Sequence, residues 1–237
     1  MAIFLIAFVL LLVIGVPISI SIGASAVLGC LSLGYPLVVI GQKMVSGIDS
    51  FLLIAVPLFI LAGNLMNAGK ITEKIFDTAK ELVGWIPGGL GHANVVASII
   101  FAGMSGSAVA DAGGLGAIEM EAMKKNGYDE DFAGAVTAAS SVIGPIFPPS
   151  IPLIIYGSVA SVSVDQLFMG GVVPGLLMGV LLMVMVLYFA IVRRYERHPF
   201  RLRALIRQFL GSIPALITPV IILCGFVVGW FTPTEAS

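Results

Sequence analysis

The sequence predicts an all-α integral membrane protein whose helices are broken inside the bilayer. Three observations carry this. Hydrophobic residues make up 59% of the 237 residues and charged residues 11%, with a mean hydropathy of +1.10, far from soluble domains. Within an uncharged stretch over 132–164, the run Val142-Ile143-Gly144-Pro145-Ile146-Phe147-Pro148-Pro149-Ser150-Ile151-Pro152 contains four prolines, which remove four amide donors and forbid a continuous helix. A second interruption, Gly103-Met104-Ser105-Gly106-Ser107, falls in a stretch over 82–110 that holds no charge. A helix broken at bilayer depth frees backbone carbonyls that lipid cannot satisfy, so each break must be buried in protein or line a polar cavity. Two such breaks point to a pathway for a solute or ion. The 13 prolines and 28 glycines exclude β-barrel alternation and suit kinked, closely packed helices.

Spans need roughly 20 apolar residues to cross about 30 Å of hydrocarbon. Residues 2–34 hold one long kinked helix or two short ones turning at Gly15-Val16-Pro17, with two favoured. This apolar start lacks a basic n-region, which argues against a cleaved signal peptide. A short amphipathic piece over 37–48 precedes the cleanest span of the first third, over 50–69, which ends at Gly69 as helices do. Next, Ile71, Ile75, Phe76, Ala79, Leu82 and Val83 recur at helical spacing opposite Lys70, Glu73, Lys74, Asp77, Lys80 and Glu81. That pattern predicts a helix lying along the membrane surface, the alternative being a solvent-facing loop helix.

An apolar arm over 90–104 reaches only about 22 Å, too short to cross comfortably. After Ser105-Gly106-Ser107 a small-residue arm over 108–120 runs out into Glu121, Lys124, Lys125, Asp129, Glu130 and Asp131. This reads as a re-entrant hairpin, although an ordinary span kinked at glycine shares the periodicity. The broken helix over 132–157 follows, then a long span over 166–192. Arginines alternating with Leu202, Leu205, Ile206 and Phe209 predict a second surface helix over 200–210, ahead of a last span over 213–231.

All six arginines fall between Arg193 and Arg207, which makes that segment cytoplasmic by the positive-inside bias. Counting back puts Arg197 and Lys125 inside and Asp165 outside. A hairpin that returns to its own side keeps Lys70 and Lys80 inside too, whereas a full crossing strands them outside. With a net charge of −1, this clustering speaks for membrane topology and not for nucleic acid. Cys30 and Cys224 lie far apart in apolar segments and suggest no disulfide framework.

Ser105 and Ser107 bring two hydroxyls to a backbone free of bulk at Gly106, and hydroxyl and carbonyl oxygens suit a hard cation. Asp111, one turn beyond, is the only acid between Glu81 and Glu119, and an ionisable group at such depth is a functional candidate. Its plainer reading is a carboxylate satisfied by neighbouring amides. At the second break Gly144 and Pro145 free carbonyls, and Ser150 is placed to cap the restarting half-helix with Pro152 in its first turn. The positive end of that half-helix suits a carboxylate. His92 and His198 have no spaced partner for a transition metal and read as interfacial. Asn64, Asn94, Ser140 and Ser141 either join helices or face the cavity.

Gly63-Asn64-Leu65-Met66, the hairpin from Gly103 through Ala108-Val109-Ala110-Asp111, the loop Lys125-Asn126-Gly127-Tyr128, the break Gly144-Pro145-Ile146-Phe147-Pro148-Pro149-Ser150 and the ending Thr232-Pro233-Thr234-Glu235-Ala236 together resemble a known family. It is the large membrane subunit, the DctM-type permease, of tripartite ATP-independent periplasmic (TRAP) transporters. The resemblance implies sodium-driven uptake of small organic acids, of C4-dicarboxylate or sialic-acid type, across the bacterial inner membrane. It implies no cofactor beyond Na+ as coupling ion. A periplasmic solute-binding protein would deliver substrate, a small DctQ-type membrane subunit would bind a static scaffold, and a transport domain would move like an elevator. Carried over by motif, the sodium site uses Ser105, Gly106, Ser107, Gly144, Pro145, Ile146 and Ser150, and the substrate cavity includes Asp111, Pro148 and Pro149.

The family has two inverted repeats, each with a hairpin and a broken helix, and this chain matches the first. It is therefore expected to be an N-terminal half that does not transport alone. The implied layout is scaffold and surface helices over 1–87, a transport-domain hairpin and broken helix over 88–160, a long span and basic surface helix over 161–212, and a last span with the start of a second repeat over 213–237. Two rivals remain. A single-polypeptide sodium–dicarboxylate symporter of related architecture needs no binding protein. Gly103-Met104-Ser105-Gly106 also satisfies the Gly-x-Ser-Gly pattern of rhomboid-type intramembrane proteases, but no histidine follows Ser105 until His198, so no enzyme is expected.

Overall fold

The computed structural model describes residues 2–195, 197, 199, 202–228, 230 and 235; His198, Phe200 and most of the 232–236 motif lie outside the described residues. Among the described residues all regular structure is helical. The chain divides into two compact units, Met1–Ser50 and Phe51–Ser237.

In the first unit α1 (Ala2–Val13) and α2 (Ile18–Ser32) are separate helices packed on one another, followed by α3 (Leu37–Ile48). The favoured two-helix alternative is the one realised. Gly15 at φ 87 makes the turn, and Pro17 opens α2 at the position where a missing N–H is harmless. Packing is close because a Cβ on Gly29 would lie 3.3 Å from that of Phe4.

The second unit begins with a 3₁₀ turn (Phe51–Ile54) leading into α4 (Ala55–Ala68) and α5 (Ile71–Val83). Then come α6 (Gly89–Ser105), α7 (Ala108–Ala110), a π-helical stretch (Asp111–Leu115), α8 (Gly116–Lys125), α9 (Glu130–Ser141), α10 (Ile151–Ala160), α11 (Val164–Arg193) and α12 (Leu202–Val228). Phe51–Ala68 and Val164–Arg193 are each long and apolar enough to cross a membrane. At the centre, α6 is buried along nearly its whole length against α5, α9, α11 and α12. An apolar helix without a polar face belongs in a protein core or in lipid, and these four neighbours make it a core helix.

Helix α4 ends at Gly69 as expected, and the next residue, Lys70 with φ 58, takes the left-handed position at the corner with α5. Two expectations need correction. The apolar face of α5 does not rest on lipid, since Ile75, Phe76 and Ala79 are buried against α6 and α12; Leu82, expected on that face, is 47% exposed. Finally, the basic stretch and the last span form one element, α12, bent by 58° between Leu205–Ile213 and Leu216–Ile222. Pro214 falls between those segments and cannot donate the helical hydrogen bond there.

Candidate cation and solute site

Helix α6 stops because Gly106 turns left-handed at φ 60. Ser107 then caps the next helix, its Oγ accepting from the Ala110 N–H at 3.3 Å. The chain folds back on itself: the π-helical stretch and α8 pack along α6, with Ser98 beside Asp111 and Asn94 beside Glu119. The returning arm ends where the outgoing one began, for Tyr128 sits beside the Leu90 and Gly91 backbone. Burial pushes the Tyr128 hydroxyl up to about 12.

Helix α11 serves as a ruler for this hairpin. Gly88 and Gly91 approach Ala190 and Val186 near its C-terminal end, where Arg193 also pairs with Asp129. Near its N-terminal end Gly171 and Gly175 abut Ile146 and Phe147 of the second break. At ~1.5 Å per residue, the break lies about 33 Å from Arg193 and about 10 Å from Val164 along the axis.

The break spans 142–150, between α9 and α10, and the Pro148–Pro149 bond is cis. Ser150 restarts the helix: its Oγ accepts from the Leu153 N–H at 3.2 Å and donates to the Pro145 carbonyl. Tip and break meet directly. The Ile151 N–H donates to the Gly106 carbonyl at 3.3 Å, a Cβ on Gly106 would lie 2.5 Å from the Pro149 oxygen, and one on Gly144 would lie 3.3 Å from the Ser107 carbonyl carbon. The N-terminus of α10 thus points its partial positive charge at the hairpin tip.

Gly106, Ser107, Gly144, Pro149 and Ser150 are therefore brought together. The other expected residues are disposed around them. The Ser105 Oγ is buried without a hydrogen-bond partner, and its residue packs on Gly63 of α4. The Pro145 carbonyl is occupied by the Ser150 hydroxyl, and the Ile146 carbonyl faces Gly171. Pro148 and Pro149 are buried. A cavity of about 470 Å³ opens on the α4 side, lined by Asn64, Asn67, Ser105, Ser107 and Gly114 among others. Asp111 does not line it; its side chain is buried on the opposite side, beside Ser98 and Ser141.

Sequence reasoning missed Asn67, the π-helical turn and the burial of Glu119. The Gly113-Gly114 pair was the available signal, because two adjacent glycines weaken the α-helix where a π-turn forms. A Cβ on Gly114 would lie 3.1 Å from the Asn67 amide nitrogen, so the glycine admits that side chain to the cavity. A serine–histidine dyad is not formed among the described residues, since Ser105 and His92 lie about 20 Å apart along α6.

The features described are those of a helical membrane protein with interrupted helices. Residues 5–237 match the family model described as "Tripartite ATP-independent periplasmic transporter, DctM component", and the chain belongs to that family. It is 51% identical over 197 residues to the sialic acid TRAP transporter large permease protein SiaM of Vibrio cholerae serotype O1, covering 83% of this chain and 46% of the relative. It is 42% identical over 200 residues to the 2,3-diketo-L-gulonate TRAP transporter large permease protein YiaN of Escherichia coli, covering 84% and 47%. The C4-dicarboxylate TRAP transporter large permease protein DctM of Vibrio cholerae is 37% identical over 230 residues, covering 96% and 51%. These relatives are transporter permeases and not enzymes. The chain spans about half the length of these relatives.

Proposed function

We propose that this chain forms the first inverted repeat of a TRAP large permease that takes up small organic acids with sodium across the bacterial inner membrane. Sialic acid is the favoured substrate on the strength of the SiaM relative, with C4-dicarboxylates next. The observation that carries the reading is the direct bond between the hairpin tip and the broken helix, Ile151 N–H to Gly106 carbonyl. Sodium sits there, held by Ser105, Gly106, Ser107, Gly144, Pro145 and Ser150, as hydroxyl and carbonyl oxygens suit a hard cation, while the Ile146 carbonyl is turned to Gly171. The N-terminus of α10 and the Asn64–Asn67 cavity favour a carboxylate-bearing solute alongside it.

The hairpin is re-entrant, entering and leaving on the cytoplasmic side together with Lys80, Lys125 and Arg197, while Asp165 lies outside. Residues 88–160 move as a transport domain, and 1–87 belong to the scaffold that a small DctQ-type subunit binds. A periplasmic binding protein supplies the solute, and the other half of the permease completes the site. Proteoliposomes holding the complete permease, small subunit and binding protein test this. An inward sodium gradient should drive uptake of radiolabelled sialic acid; uptake of no organic acid under that gradient, with binding protein present, would refute the assignment.

A further inference from the structure

Behind the hairpin tip, on the face turned away from the cavity, the molecule buries a second group of oxygens. Asn94 donates to the Thr137 hydroxyl at 2.8 Å and accepts from Ser140 at 2.7 Å, and Ser98 donates to the Ser140 hydroxyl at 3.1 Å. These side chains from α6 and α9 satisfy one another. Two carboxylates from the returning arm are set against them and are not satisfied. Asp111 and Glu119 are 1% and 0% exposed, and none of their four oxygens has a hydrogen-bond partner. Ser98 and Ser141 flank Asp111, Asn94 flanks Glu119, and the two acids are close enough to repel one another. Among the described residues no lysine, arginine or histidine pairs with either.

Two buried carboxylates without a counter-charge stay ionised in a folded interior only if a cation joins them, and otherwise each must take up a proton. The oxygens present are carboxylate, hydroxyl and amide, the set that hard cations take. The Asn94 carbonyl oxygen retains a second lone pair beyond its bond from Ser140. We infer that Asp111, Glu119, Ser98, Ser141 and Asn94 form a second, fully buried site for a hard cation, separate from the hairpin tip. Asp111 opens the π-helical turn and Glu119 lies in the helix that follows it, so the local widening sets how both face α6 and α9. The Asp111 N–H also donates to the Ser107 carbonyl at 3.1 Å, which joins this site to the tip through backbone.

Equilibrium binding of radioactive sodium or calcium to the purified protein in lipid nanodiscs tests the inference without any transport assay. Asp111→Asn and Glu119→Gln should each lose one bound cation per chain, while Ser107→Ala retains that cation and loses the one at the tip. Competition between sodium and calcium then assigns the buried site to a monovalent or divalent ion, either of which supports it. Infrared difference spectra of the unmodified protein provide a reading that survives misfolding of the variants, because the carboxylate stretching bands should shift when the cation is added. Equal cation stoichiometry in the unmodified protein and in folded Asp111→Asn and Glu119→Gln overturns the inference. So does a cation-insensitive spectrum showing a protonated carboxyl band, since a proton would then supply the charge.

Discussion

An alanine at Gly106 tests whether the hairpin tip depends on its contact with the broken helix. Gly106 holds φ 60, where any residue with a Cβ pays about 1–2 kcal/mol. The added Cβ would also lie 2.5 Å from the Pro149 oxygen and 3.1 Å from the Ile151 nitrogen, both backbone atoms of a break made stiff by proline. Overpacking against atoms that cannot swing aside adds about 1–3 kcal/mol, so Gly106→Ala should cost roughly 2–5 kcal/mol. Gly127 supplies the control: its φ is 78, but nothing lies within 4 Å of a Cβ there. Gly127→Ala should therefore cost only the backbone share, about 1–2 kcal/mol. The difference of about 1–3 kcal/mol corresponds to roughly a five- to 150-fold change in the folded ratio. Denaturant unfolding of both variants in detergent, with and without sodium, measures it. Gly106→Ala should lose more stability than Gly127→Ala and also lose stabilisation by sodium. Equal losses and equal sodium effects in the two variants would refute the claim that this contact shapes the site.

Three further outcomes are expected, the first from the proposed topology and the others from the structure. In intact cells an impermeant thiol reagent should label Asp165→Cys from outside and leave Lys125→Cys untouched; external labelling of Lys125→Cys would remove the re-entrant hairpin. Ser150→Ala deletes the cap of α10 and the bond to Pro145, and should cost about 0.5–2 kcal/mol in unfolding experiments; an unchanged midpoint would deny the cap a stabilising part. Because burial raises Tyr128 from 10.0 to about 12, the unfolded chain loses that proton first. Stability is thus fully present below pH 10 and falls as pH rises toward about 12, and Tyr128→Phe should flatten that decline. An identical alkaline profile in the variant would contradict the assignment.

The two breaks were legible because proline and glycine act locally: four prolines within 142–152 stop a helix in any surroundings, and Ser150 ahead of Pro152 is a start signal read from the sequence itself. Helix α3 was legible for the same reason, its start following Pro36 and its bounds matching the short amphipathic piece over 37–48. What escaped depends on which neighbour an element meets. The charged face of α5 was visible, but that its apolar face would be taken by α6 and α12 rests on contacts between residues distant in sequence. Glu119 stands near the end of the small-residue arm with no sequence signal of a role, yet it is 0% exposed because the hairpin turns it toward Asn94. The Ile146 carbonyl, expected to face a cation, faces Gly171 because α11 packs close at a glycine, and spacing within the break carries no trace of that.

The central claim is that the hairpin tip and the broken helix hold one sodium ion that drives uptake, and the sodium dependence of transport in the complete permease tests it most directly. Pro145→Ala and Pro149→Ala should let the helix propagate and withdraw its carbonyls, and Ser107→Ala should delete a hydroxyl ligand. Each variant is predicted to need a higher sodium concentration for half-maximal uptake than the unmodified protein. A sodium dependence unchanged in all three would contradict the account.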